Sequence, residues 1–198
     1  MNKTTAGRRE KLRESRGGSL LVLAVTSLLV LAAAYIVQTR TATDPGVSAI
    51  ELTGAVGEAP EVGKSAPDFT AQTVQGRQVS LSDYRGRPVW LTFGASWCAA
   101  CQAEAPDIQA AYERAGESGP VVISVYISED SAAVRDYTER VGLTYPAIAD
   151  PDTRIASQYR VLGIPVHFFI DRSGVLRATT TGAMSPEQMD AALEGIRG

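Results

Sequence analysis

Two cysteines, Cys98 and Cys101, are the only ones in a chain of 198 residues, and they sit three apart. The apolar run Val89-Trp90-Leu91-Thr92-Phe93 leads into them, and a helix-compatible stretch from Gln102 to Arg114 follows. Cysteines at this spacing on the first turn of a helix can close a small disulfide ring. Cys98 then falls at the helix start, where free N–H groups and the positive end of the helix dipole favour a thiolate. The thiolate is the species that attacks a disulfide. This reading makes Cys98 the exposed nucleophile and Cys101 the shielded resolving thiol.

Two blander readings compete with a redox pair. A structural zinc site needs four ligands, and the chain offers no further cysteine and a single histidine, His167. An inert disulfide is a poor staple at this spacing, because a loop this short restrains the unfolded chain little. The redox reading is therefore preferred, with no metal and no cofactor required.

Charge is unevenly distributed. Residues 1–19 carry six basic side chains against Glu10 and Glu14, a net of +4, so the overall −3 leaves the remainder at −7. That balance argues against a nucleic-acid-binding body. An uncharged apolar run from Leu20 to Val37 follows the basic segment. A helix of that length covers about 30 Å of hydrocarbon, and basic residues ahead of it place the N-terminus in the cytoplasm. The expectation is a single-pass anchor over 20–38 with the body extracytoplasmic. The alternative is a cleaved signal, with Ala32-Ala33-Ala34 as the cleavage site and a secreted body. The continuation through Tyr35-Ile36-Val37 favours the anchor. Residues 39–64 show no period and read as a linker, with a reach of roughly 30 Å if flexible.

The body, 65–198, alternates strands and helices. Asp68–Val74 and Gln78–Leu81 pattern as a hairpin across Gln75-Gly76, and Ser82–Gly86 as one helical turn. Val89–Phe93 and Val121–Ile127 are continuous apolar runs suited to central strands. Ser131–Val141 reads as a helix capped by Ser131 and ended by Gly142, and Asp152–Tyr159 as one capped by Asp152. Tyr145–Ala149 is a short extended piece. His167–Asp171 and Val175–Thr181 form a second hairpin, and Ser185-Pro186-Glu187 opens the last helix. Pro106 interrupts the helix that follows the cysteines. The order implies an α/β fold, a mixed sheet covered on both faces.

Trp97-Cys98-x-x-Cys101, then Gly163-Ile164-Pro165 ahead of His167-Phe168-Phe169-Ile170-Asp171, resembles the thioredoxin superfamily. Ala66-Pro67-Asp68-Phe69, the anchor and Cys101-x-x-Glu104-x-Pro106 narrow the likeness to the membrane-anchored TlpA/ResA-like thiol-disulfide oxidoreductases over residues 62–198. The resemblance implies a thioredoxin-like fold with an N-terminal β-hairpin extension and a separate transmembrane helix. It also implies a cis Ile164-Pro165 peptide facing the cysteines, with Trp97, Ile164 and Pro165 receiving the substrate chain. Glu104 matches the family's acid, which raises cysteine pKa by like charge and relays a proton to or from Cys101. The activity implied is reduction of partner-protein disulfides, in cytochrome c maturation or another extracytoplasmic pathway. The chain would be a monomer recharged by an electron-donating membrane protein.

Some positions depart from the pattern. Thr92 stands where thioredoxin has a buried aspartate, Gly94 replaces a common tryptophan, Ala100 a frequent proline, and His167 a frequent threonine. His167 reads as a strand-face residue. Ala66–Phe93 also resembles peroxiredoxins, but Gly94-Ala95-Ser96 lacks the proline and threonine a peroxidatic cysteine needs. A second functional reading is a Cu(I) chaperone using Cys98, Cys101 and His167, since soft thiolates select that ion.

Overall fold

The computed structural model describes residues 21–34, 46–53 and 57–197. It divides into two units, 1–45 and 46–198. In the first, residues 21–34 form a helix, α1, with its apolar side chains exposed. Among the described residues no helix is long and apolar enough to cross a membrane. Residues 1–20 and 35–45, which hold the basic segment, the rest of the expected anchor and the start of the linker, lie outside the described residues.

The second unit is built on a five-stranded sheet. Its strands are β4 (Val89–Gly94), β5 (Val121–Ile127), β6 (Ala147–Asp150), β8 (Val166–Ile170) and β9 (Leu176–Thr181), in the order β6-β5-β4-β8-β9. β4, β5 and β6 run parallel, while β8 and β9 are antiparallel to their neighbours. The continuous apolar runs read as central strands are β4 and β5, buried at every position. Alternation of side chains splits each run between two faces. Val89, Leu91 and Phe93 join one core cluster with Ile123, Val125, Phe168 and Ile170. Trp90 joins the other with Val122, Tyr126 and Phe169.

Helices α2 (Ala99–Ala115), α3 (Ser131–Val141) and α5 (Pro186–Glu194) supply Ala105, Ile108, Val134, Tyr137, Met189 and Leu193 to the Trp90 face. The opposite face is covered by α4 (Arg154–Gln158) and by the hairpin of β2 (Thr70–Gln72) and β3 (Gln78–Ser80), through Phe69, Val79, Ile155 and Ala156.

Helix ends follow local hydrogen-bond chemistry. Ser185 caps α5 in a reciprocal box with Gln188, and Gly142 ends α3 at φ +73°. Two expected caps shift by one or two residues. Asp130, not Ser131, caps α3, accepting from Ala132 and Ala133 N–H. For α4 the buried Asp150, not Asp152, accepts from the N–H groups of Arg154, Ile155 and Ala156. A carboxylate reaches more orphan donors than a serine hydroxyl, and Asp150 is fixed by being the last residue of β6.

The linker reading changes more. Residues 48–49 form strand β1, paired antiparallel with β7 (Gly163–Ile164), with Ser48 opposite Ile164 and Ala49 opposite Gly163. The stretch 46–53 is docked on the body, and the compact unit begins at Gly46.

The turn joining β8 to β9 is fixed by Asp171. Its Oδ1 accepts from Ser173 N, Ser173 Oγ and Val175 N, and its Oδ2 accepts from Arg177 Nε at 2.6 Å. Gly174 completes it at φ +77°, where a Cβ would also strike the Arg85 guanidinium. Burial opposes ionisation of Asp171, but the donors of Ser173, Val175 and Arg177 outweigh it and lower its pKa to about 2. A carboxyl depressed on folding stabilises the protein above its unfolded pKa, and that stability is lost as pH falls through the folded value. Asp171→Asn is expected to cost about 1–2 kcal/mol at pH 7. The difference from wild type should shrink between about pH 4 and pH 2, as measured by urea melts across that range. An undiminished difference at pH 2 would contradict it.

Candidate functional site

The redox pair sits where β4 hands over to α2. The chain leaves β4 at Gly94, crosses Ala95-Ser96-Trp97 and enters α2 with Cys98 as N-cap. Cys98 Sγ accepts the Cys101 N–H at 3.2 Å, so the sulfur occupies the place of a capping oxygen. The two cysteines are joined as a disulfide, with Cα atoms 5.2 Å apart. A Cβ at Gly94 would lie 3.4 Å from both Cβ and Sγ of Cys101. The glycine thus leaves room under the resolving sulfur that a tryptophan would fill.

The exposures of the pair are the reverse of those expected. Cys98 is 1% exposed and belongs to the cluster that holds Ala95, Ile164 and Val166, while Cys101 is half-buried. The cause is the loop: it turns Trp97 outward, to 52% exposure, and sends the next side chain inward over the sheet end.

The Ile164-Pro165 peptide is cis. Phe93 stands opposite Val166 in the β4–β8 ladder, which sets Pro165 at the Gly94 end of the sheet, the end that carries the cysteines. The backbone edge at Ile164 is not free, because Ser48 is paired to it.

Glu104, one helical turn after Cys101, is 4% exposed. Positions three apart on a helix share a face, so Glu104 follows Cys101 one turn along α2. Its Oε2 accepts the Met184 N–H at 3.1 Å and lies 3.4 Å from His167 Nε2. His167 is fully buried, and its Nδ1 accepts the Trp90 indole N–H at 3.3 Å. Indole can only donate, which puts the imidazole proton on Nε2, facing Glu104. Nε2 has no formed hydrogen bond.

Both ring nitrogens of His167 are therefore directed at Trp90 and Glu104, not at the cysteines. The Cu(I) ligand set of Cys98, Cys101 and His167 is not assembled. Among the described residues no group of three or more His, Cys, Asp or Glu side chains could hold a metal ion.

Three contacts escaped the sequence. Glu129, just beyond β5, accepts from both the N–H and the hydroxyl of Ser96, tying down the loop that carries Trp97 and Cys98. Gln102 Nε2 donates to the Ser96 carbonyl. His167 as the neighbour of Glu104 is the third. Only its β-strand period, which puts 167 and 169 on the Trp90 face, could have suggested it.

This geometry defines a dithiol–disulfide exchange site on a thioredoxin-like fold. The chain belongs to the AhpC/TSA family, whose model matches residues 62–179, and it is a thiol-disulfide oxidoreductase of the ResA type. It is 35% identical over 136 residues to thiol-disulfide oxidoreductase ResA of Geobacillus kaustophilus (strain HTA426), covering 69% of this chain and 78% of that one. Among solved structures it is similar to a thiol:disulfide interchange protein of the thioredoxin family from Chlorobium tepidum TLS. That match has a TM-score of 0.64 at 26% identity and covers 71% of this chain and all of the other. The exposed lipoprotein thioredoxin Etrx1 of Streptococcus pneumoniae strain TIGR4 matches with a TM-score of 0.56 at 34% identity, over 65% and 98% of the two chains.

Met184 N–H holds the carboxylate one helical turn beyond Cys101, and we propose that from there it takes a proton from the Cys101 thiol, directly or through one water. Glu104→Gln is expected to slow resolution of a Cys98 mixed disulfide at pH 7 by at least tenfold. Its rate should then rise with pH like that of an unassisted thiol. His167→Phe should move the same pH profile in the same direction by less. Stopped-flow thiol release across pH 5–9 measures both, and a profile unchanged in Glu104→Gln would remove the carboxylate from the mechanism.

Proposed function

We propose that the chain is a membrane-anchored, extracytoplasmic reductase of partner-protein disulfides. The observation that carries this is the Cys98–Cys101 disulfide at the tip of α2, placed at the same sheet end as cis-Pro165. In the reduced protein the Cys98 thiolate attacks one sulfur of a partner disulfide. The partner's S–S bond breaks, its other sulfur leaves as a thiolate and takes a proton, and a Cys98–partner mixed disulfide forms. Cys101 passes its proton to Glu104 and attacks Cys98 Sγ, releasing the second partner thiol. Two electrons have moved to the partner, and Cys98–Cys101 is again a disulfide. Trp97, Ile164 and Pro165 form the surface against which the partner chain lies.

Recharging calls for a dithiol-bearing membrane protein as electron donor. The basic 1–19 segment and the uncharged run that begins at Leu20 support an anchor with the catalytic unit outside, and the exposed apolar side chains of α1 need a lipid-like surrounding. Cytochrome c maturation, or another extracytoplasmic thiol pathway, is the proposed setting for this chemistry. The catalytic unit is proposed to act as a monomer.

Cys98→Ser is expected to abolish reduction of insulin disulfides, and Cys101→Ser to stop after a single mixed disulfide. The midpoint potential of the pair against glutathione should fall at or below roughly −220 to −270 mV, in the range of glutaredoxins and thioredoxin. A value near −120 mV, that of the strongest oxidants of this fold, would reverse the assigned direction.

A further inference from the structure

We propose that residues 46–53 are a strap that occupies the partner-binding edge in the resting protein and must lift before a partner chain can pair there. This rests on the thiol-exchange reading of the site and adds its regulation and the kind of segment it accepts.

The strap is seated at several points. Ser48 and Ala49 pair antiparallel with Ile164 and Gly163, and Ile50 N–H donates to the Leu162 carbonyl at 3.0 Å. Ser48–Ile164 and Ile50–Leu162 are two residues apart on the ladder, so both are of the hydrogen-bonded type. The strap thus takes up the main-chain groups of Ile164, next to cis-Pro165, that an incoming extended chain would use. Val47 packs where Gly163 has no side chain: a Cβ there would lie 2.6 Å from Val47 Cγ1. Gly163 is not held at positive φ, so its backbone gives no separate reason for a glycine.

The far end is fastened as well. Thr53 N–H donates to Thr153 Oγ1 at 2.9 Å, and Thr53 Oγ1 donates to the Asp152 carbonyl at 2.8 Å. Thr153 is buried and sits at φ +52°, a conformation β-branched residues avoid. Such strain gathers at clamps and switches. Ile50 and Leu52 pack against the same core cluster that encloses Cys98. Cys98, a member of that cluster, is itself 1% exposed, and a site with its nucleophile covered needs a movable part.

The strap also models its competitor. Its centre is two small residues, Ser48 and Ala49, flanked by the branched aliphatics Val47 and Ile50. A partner segment that displaces it is expected to be extended, small at its centre and branched-aliphatic on either side.

The test uses the full-length protein in detergent micelles, as the Cys101→Ser form. Its reduced Cys98 is offered two probes. One is a short peptide containing Val-Ser-Ala-Ile and one cysteine, activated as its mixed disulfide with thionitrobenzoate. The other is the small symmetrical disulfide of thionitrobenzoate itself. In each case the Cys98 thiolate attacks a disulfide sulfur and one thionitrobenzoate anion leaves, which is read by its colour. Ser48→Pro removes the Ser48 N–H from the ladder without touching the edge that the partner uses. Lifting the strap should raise the peptide rate roughly tenfold, as expected when a mostly closed state becomes mostly open. In the trapped peptide adduct of the unaltered strap, the Ile50 amide should lose the hydrogen-exchange protection it has in the free protein. Equal peptide rates with and without Ser48→Pro, or an Ile50 amide still protected in the adduct, would overturn the strap while leaving the exchange chemistry intact. Release of thionitrobenzoate from neither probe would instead sink the thiol-exchange reading and the strap with it.

Discussion

The working end of this molecule depends on one backbone N–H pointing at one sulfur. The Cys101 amide donates to Cys98 Sγ because Cys98 is the N-cap of α2, and α2 begins there because β4 ends at Gly94 and the chain must turn. An N-cap acceptor is normally an oxygen. With sulfur in that place, the orphan donors and the dipole of the helix act on the atom proposed as the nucleophile. The rest of the structure keeps that geometry in place. Glu129 holds the Ser96 loop, the buried β4 and β5 fix where the helix starts, and the β4–β8 register brings Pro165 to the same sheet end.

The two faces of the sheet divide the labour. The face carrying Leu91, Phe93, Ile164 and Val166 encloses Cys98 and receives β1. The other carries Trp90, His167 and Glu104, a line of polar contacts inside an apolar core. A buried carboxylate without donors would be costly. Here Met184 N–H donates to it and His167 Nε2 lies 3.4 Å away, and Trp90 fixes which nitrogen that is. This couples a residue of β8 to a residue one turn beyond the resolving thiol, although 63 positions separate them in the chain.

Much of the fold could be read from pattern alone, because the cues are local. Continuous apolar runs marked β4 and β5, and serine-proline and glycine marked the start of α5 and the end of α3. The cysteines marked their own site by spacing. What escaped were relations between distant parts of the chain. β1 is two residues long, too short for a period, and it exists only because the Gly163–Ile164 edge is there to pair with. Asp150 was hidden as a cap because its carboxylate reaches forward four to six residues from the end of a strand. The burial of Cys98 depends on the turn of Trp97, which no local rule encodes. His167 was legible as a strand residue but not as the neighbour of Glu104, since that requires knowing which helix lies over which face.

We propose that the tip of α2 favours the Cys98 thiolate and that the nearby Glu104 carboxylate disfavours ionisation of Cys101. The direct measurement is the thiolate absorbance near 240 nm of the reduced full-length protein across pH 4–11, compared with the Cys98→Ser and Cys101→Ser forms. Cys98 should titrate below the roughly 8.5 of an unperturbed cysteine and Cys101 above it. Two thiols titrating together near 8.5, or Cys101 ionising first, would contradict the account.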